Sequence, residues 1–130
     1  MAAMSRNKGA SGERELAGLL AAELGFVVRR KLGAARDGGA DSLDVPGWAI
    51  EVKRTERLLL PAYWAQAVRQ ADTEGLMPVL FWRKSRAKWA AFVDPHRFAN
   101  DLFQPGGDPI SMSVLRWCEL ARSTFPTDKK

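Results

Sequence analysis

A mixed β-sheet with helices packed against it, in the α/β or α+β class, is what the hydrophobic patterns of this 130-residue chain predict. Three observations carry that prediction. Leu16, Leu19, Leu20 and Leu24 recur at helical spacing, Trp48 to Arg54 alternates after a Pro-Gly turn, and a second helical stripe around Ala67 precedes two strand-like runs. With 46% hydrophobic and 27% charged residues, the chain has the size and apolar content for one core.

Residues 1–10 are polar and small, include Arg6 and Lys8, and read as a flexible basic arm, leaving residues 11–130 as a single domain. Ser11 is a candidate N-cap for the leucine helix and Gly25 its stop. Phe26-Val27-Val28 reads as a short strand, followed by the basic run Arg29-Arg30-Lys31 and a glycine-rich loop over 33–40 that contains Arg36. Val45-Pro46-Gly47-Trp48 reads as a tight turn flanked by strands. Pro61 opens a second helix, with Trp64, Ala67, Val68 and Ala71 as its apolar stripe and Gly75 as its end. Pro78 to Trp82 and Lys88 to Val93 read as strands joined by the turn Arg83-Lys84-Ser85-Arg86. Asp94-Pro95 starts a short helix through about Leu102, and Ile110 to Arg122 reads as a last helix.

Composition narrows the function classes. One cysteine cannot form an internal disulfide, nor can one cysteine and one histidine build a Cys/His zinc cluster, which fits a reducing, cytoplasmic setting. No apolar run reaches membrane-spanning length, and the opening residues lack the apolar stretch of a signal peptide. Twenty Lys and Arg against fifteen Asp and Glu leave a net charge of +5, which favours a polyanionic partner.

In such a chain the informative residues are carboxylates set among apolar ones. Glu51 and Lys53 are two apart, so both leave one face of a strand whose other face carries Trp48, Ile50 and Val52. If the turn is a two-residue loop, Val45 lies opposite Trp48 and Asp44 opposite Ala49, which puts Asp44 on the face of Glu51 and Lys53. A slip by one residue would exchange Asp44 for Asp41. Two carboxylates beside a lysine are the minimum apparatus for metal-assisted phosphodiester hydrolysis: Mg²⁺ takes one or two carboxylates plus phosphate and water, and the lysine serves the attacking water. The same pair also occurs on ordinary solvated strands, so context decides. With Leu16 at zero on a helical wheel, Glu13 falls at about 60° beside the core stripe and Glu15 at about −100° away from it. Glu13 can thus reach the site, although an acid in a first turn also complements the helix dipole.

Taken in order, Lys8-Gly-Ala-Ser-Gly-Glu13-Arg14-Glu-Leu16, Gly25-Phe26-Val27-Val28-Arg29, the glycine-rich loop, Asp44-Val45 and Ile50-Glu51-Val52-Lys53 resemble the PD-(D/E)xK nuclease superfamily. Within it, the chain is most similar to archaeal-type Holliday junction resolvases and their phage-encoded relatives, over roughly residues 8–95. The resemblance implies an αβββαβ core with C-terminal helical additions, dependence on Mg²⁺ or Mn²⁺, and a homodimer that cuts branched DNA at four-way junctions. It implies Glu13 near the metal, Asp44 and Glu51 as ligands, Lys53 as the catalytic lysine, and Gln66, or Gln70 one turn later, near the site. Leu43 stands where the family has a proline. Other PD-(D/E)xK nucleases, acting on flaps, nicks or duplex, and a non-catalytic nucleic-acid-binding module of the same fold share these features. Arg6, Lys8, Arg29, Arg30, Lys31, Arg36, Arg83, Lys84 and Arg86 are the candidate DNA phosphate contacts. Phe98, Leu102, Leu115 and Trp117 are candidates for a dimer interface, and His96 and Cys118 read as structural.

Overall fold

A computed structural model describes residues 2–31 and 42–125, with the side chains of 11–30 and 43–125. Helix α1 spans Ala2–Leu24. Its leucines divide as helical spacing requires, with Leu16 and Leu20 fully buried and Leu19 exposed on the flank. The helix begins at Ala2 rather than at Ser11, which lies inside it. Ala2, Ala3, Met4, Arg6 and Lys8 are good helix formers with no proline among them, so local propensity carries the helix past the expected cap.

The first pairing comes later than the Phe26-Val27-Val28 run. Strand β1, Arg30–Lys31, is antiparallel to β2, Ser42–Leu43, with Arg30 opposite Leu43. Val28 is buried in the core and Phe26 packs against Phe125, so these side chains serve packing and not the ladder. The Pro46-Gly47 turn forms as expected: Gly47 has φ +85°, and the Trp48 N–H donates to the Val45 carbonyl at 3.1 Å. Val45 pairs with Trp48, the register of a two-residue loop.

Strand β3, Trp48–Arg54, leads into helix α2, Leu60–Glu74, and then strand β4, Met77–Arg83, which returns parallel to β3. Pro61 sits in the first turn of α2, and Gly75 caps it with φ 70°. Strand β5, Ala90–Val93, and strand β6, Ile110–Ser113, continue the sheet antiparallel in the order β3-β4-β5-β6. Helix α3 spans Val114–Thr124.

Two expected helices are corrected. After Asp94 caps the His96 N–H at 3.0 Å, there is only a single 3-10 turn, Pro95–Arg97, and no helix through Leu102. The segment 110–122 begins as β6, because Ile110-Ser-Met-Ser alternates and finds the open edge of β5, and Ser113 then caps α3 through the Arg116 N–H.

Alternation along the strands sorts the core into two layers. Trp48 and Ile50 of β3, Val79 and Phe81 of β4, and Ala91 and Val93 of β5 face α1 and α3, where Leu16, Leu20, Trp117, Cys118 and Ala121 complete the larger core. Trp117 packs edge-on against Trp48 and Phe81, at ring centroids of 5.2 and 5.0 Å. It is fully buried, so it belongs to this core and not to a dimer interface. Leu80 and Phe92 face the other way and meet Ala67 of α2.

Candidate active site

Glu51 and Lys53 leave β3 on the α2 side, as the alternation requires, because Ile50 and Val52 between and beside them serve the α1 core. The Lys53 Nζ stands 3.4 Å from Glu51 Oε2, with 9% of the Glu51 side chain and 25% of the Lys53 side chain exposed. Burial pushes the Glu51 carboxyl above its ordinary value, and the charge and hydrogen bond of Lys53 oppose that rise. A buried carboxylate whose charge is met by one partly exposed ammonium, in the C-terminal half of β3, is the kind of perturbed pair that functional sites carry.

The ring of Tyr63, on α2, lies under this lysine with Nζ 5.2 Å from its centroid. Thr55, just past β3, gathers the surrounding polar groups. Its Oγ1 accepts from Tyr63 Oη at 3.2 Å and Trp82 Nε1 at 2.9 Å, and donates to the Arg57 carbonyl at 2.7 Å. Neither Tyr63 nor Thr55 was among the sequence candidates. Tyr63 lies four residues before the buried Ala67, so helical periodicity already places it on the inward stripe.

Asp44 sits between the buried Leu43 and Val45, so its side chain points away from their core, toward the face of Glu51, where it is exposed. Its N–H donates to the Arg29 carbonyl at 2.8 Å, which ties it to the segment entering β1. The alternative, Asp41, lies outside the described residues, as does Arg36. The side chains of Arg6, Lys8 and Lys31 lie outside them as well.

Glu13 turns inward from α1 with 17% of its side chain exposed, and Arg30 Nε stands 3.4 Å from it. With Arg14, Ala17, Val28, Arg30 and Leu43 it lines a recess of about 320 Å³. The neighbouring Gly12 packs onto Arg54 at the C-terminal end of β3: a Cβ there would lie 3.3 Å from Arg54 Cβ. This close approach seats the Gly12–Glu13 turn of α1 over the C-terminal end of β3, on the face opposite Glu51 and Lys53. Glu15 has a different task. It pairs with Arg83 at 2.7 Å and accepts from Trp89 Nε1 at 2.8 Å, and these bonds, Arg83 first, hold its carboxyl below the ordinary value against its partial burial.

Arg83 is therefore a correction to the expected DNA contacts. It is only 9% exposed, its guanidinium binds Glu15 and the Lys84 carbonyl, and it stacks 5.5 Å from the Trp89 ring. Lys84, Arg86 and Lys88 remain exposed on the turn beyond it. That turn is held at the same end of the sheet: Thr55 N–H donates to the Arg83 carbonyl, and the Ser85 N–H donates to Glu56 Oε2 at 3.1 Å. Arg29 and Arg30 are also exposed. Gln66 is half-buried on α2 one turn past Tyr63, whereas Gln70 is engaged with Glu74. His96 and Cys118 are structural in their contacts. His96 Nδ1 meets the Phe103 carbonyl at 2.8 Å, and burial pushes the Cys118 thiol up to about 11.

Among the described residues, no three carboxylate, imidazole or thiol groups stand together as a metal-holding cluster. Glu13, Asp44 and Glu51 are thus not gathered into one three-carboxylate set. Glu13 lies with Arg30 and Glu51 with Lys53. The available donors are hard carboxylate oxygens. They fit a Mg²⁺-type ion that takes one or two protein carboxylates and completes its shell with phosphate and water, and they do not fit a closed cage of protein ligands.

A family model described as "Phage putative PDDEXK endonuclease" matches residues 4–112. The chain belongs to this family. As a PDDEXK endonuclease it has the PD-(D/E)xK fold expected from its ordered motifs, and Glu51-Val52-Lys53 lies on β3. The chain is similar to a solved structure of Archaeoglobus fulgidus Hjc, a Holliday junction resolvase from an archaeal hyperthermophile. The identity is 21% and the TM-score 0.48, over 87% of this chain and 99% of that one. Nothing among the curated proteins matches. Among the described residues, no helix of this endonuclease is long and apolar enough to cross a membrane.

Proposed function

We propose that this PDDEXK nuclease is a Mg²⁺-dependent, structure-selective DNA endonuclease that resolves four-way junctions as a homodimer in the cytoplasm, that of the host if the protein is phage-encoded. The observation that carries the nuclease site is the buried Glu51 carboxylate held 3.4 Å from Lys53 at a strand end bordered by the basic turn at Lys84 and Arg86. The preference for junctions rests on the ordered resemblance of residues 8–95 to resolvases.

In this reading Glu51 and Asp44 hold Mg²⁺, with Mn²⁺ as a substitute, and Glu13 is a further ligand or orients bound water. The bound ion supplies a lowered pKa for water and offsets charge on the phosphate. Lys53, as the ammonium paired with Glu51, donates to and positions the attacking water; it takes that water's proton only after its own ammonium has given one up, so the pairing with Glu51 is the resting arrangement. Gln66 lies near the reacting phosphate. Arg29, Arg30, Lys31, Arg36, Lys84 and Arg86 track the DNA backbone, and the first ten residues, with Arg6 and Lys8, extend that contact from the domain formed by 11–130.

The test is cleavage of a synthetic four-way junction beside matched duplex, flap and single strand, with Mg²⁺ or with chelator. Paired symmetric nicks in the junction that require Mg²⁺ are the expected result. Equal cutting of flaps or duplex would make it another nuclease of this fold, and binding without cutting would make it a non-catalytic module.

A further inference from the structure

The ammonium of Lys53 is held from two sides. Glu51 Oε2 lies 3.4 Å from Nζ, and the face of Tyr63 lies beneath it with the centroid at 5.2 Å, within the range of a cation–π contact. A lysine stem has several rotatable bonds, and an ion pair alone leaves it many arrangements of similar energy. A fixed aromatic face removes most of them.

The face is fixed because Tyr63 is anchored at both ends. Its backbone belongs to the first turn of α2, where its N–H donates to the Leu59 carbonyl at 2.9 Å, and its hydroxyl donates to Thr55 Oγ1. Thr55 has no capacity left. Its one proton goes to the Arg57 carbonyl and its two lone pairs take Tyr63 and Trp82, which is the full inventory of a hydroxyl. Since Thr55 follows β3 by one residue and Trp82 lies opposite Lys53 on β4, the anchor is built on the same two strands as the site. Tyr63 is itself only half-buried, and the small α2-side core of Ala67, Leu80 and Phe92 would accept a leucine in its place. Packing alone does not require the hydroxyl or its three-way bond.

We propose that Tyr63, locked by Thr55, is a positioning residue that fixes the Lys53 ammonium beside Glu51 and thereby sets the rate of phosphodiester cleavage; this rests on the nuclease reading above. One donor of the ammonium meets Glu51 and one faces the ring, which leaves the third for a water or phosphate oxygen.

Two readouts test this in the full-length protein. The first, on metal-free protein, is the ring-current shift of the Lys53 Cε protons by NMR, upfield in the wild type and lost in Tyr63→Leu. It is retained but reduced in Tyr63→Phe and Thr55→Val, where the ring stays but its anchor is gone. The second is Mg²⁺-dependent junction cleavage. Tyr63→Leu lowers kcat by about tenfold with KM within about twofold, the scale of one desolvated cation–π contact, and the two milder variants lower it by about threefold. If Tyr63→Leu does not fold, Tyr63→Phe and Thr55→Val carry both readouts. An unchanged Lys53 shift, or changes in melting temperature with kcat intact, would overturn the proposal. A wild type that cuts no DNA would overturn the nuclease reading and the rate claim with it, while loss of the shift in Tyr63→Leu would still establish that the ring holds Lys53.

Discussion

Two glutamates on neighbouring elements are shifted in opposite directions, and the difference separates site from scaffold. Glu51 is raised by burial, so its ionised form costs stability once the pH exceeds its native value, and that cost vanishes below the ordinary carboxylate value. Glu51→Gln removes the cost. In chelator the variant is expected to be more stable than wild type at about pH 8, with the gain fading toward about pH 4, as read from urea melts. Glu15 is lowered, chiefly by its hydrogen bond from Arg83, so its contribution is present above the ordinary value and is lost as the pH falls through the lowered one. Glu15→Gln weakens the partner of a buried guanidinium. Since 39% of the Glu15 side chain is exposed, the loss at neutral pH is set at about 1 kcal/mol, closing on acidification. Glu13→Gln, in contrast, is expected to lower cleavage by about tenfold or more with little change in stability if its carboxylate serves the metal as proposed. Equal cleavage defects in the Glu13 and Glu15 variants, after correction for folded fraction, would remove Glu13 from the site.

Among the elements, the tight turn between β2 and β3 sets which residues can meet. Its register depends on Pro46-Gly47, and Gly47→Ala would place a Cβ at φ +85°, a strain of about 1–2 kcal/mol. A fall in melting temperature together with weaker cleavage is expected, since the turn carries Asp44 relative to Glu51. The register was legible only as the favoured of two, because Pro-Gly left a one-residue slip open; the pairing of Val45 with Trp48 is that of the two-residue loop. The second helix was legible from Pro61, its stripe and Gly75. The last strand was not: Ile110-Ser-Met-Ser is too short and too polar to outweigh the helical pattern that follows it, and only the open edge of β5 makes it a strand. The fate of Arg83 was hidden for a related reason, since a cation in a basic turn reads as solvated until α1 brings Glu15 to it from 68 residues away. Tyr63 was visible by periodicity, but its partnership with Lys53 depends on α2 folding back over β3.

At the scale of the whole molecule, the net charge of +5 and the basic residues around the strand end predict an affinity for junction DNA that falls steeply with salt and varies little with base sequence. A flat plot of log K against log salt would remove the electrostatic account. One copy has one set of Asp44, Glu51 and Lys53, whereas resolving a junction takes two symmetric cuts, so a twofold dimer is expected and sedimentation at micromolar concentration should report about twice the chain mass. Phe98, Leu102 and Leu115 are exposed and remain candidates for its interface, with Trp117 now in the core. The central claim, that Glu51 and Lys53 form the cleaving site, is tested most directly by comparing wild type, Asp44→Asn, Glu51→Gln and Lys53→Ala on a four-way junction with Mg²⁺. The account predicts that each substitution lowers cleavage by about a hundredfold or more while junction affinity stays within about twofold, because the site is lost and the phosphate contacts are not. Cleavage by Glu51→Gln or Lys53→Ala at the wild-type rate would contradict it, and cleavage by Asp44→Asn alone, with loss in Asp41→Asn, would move the second ligand to Asp41.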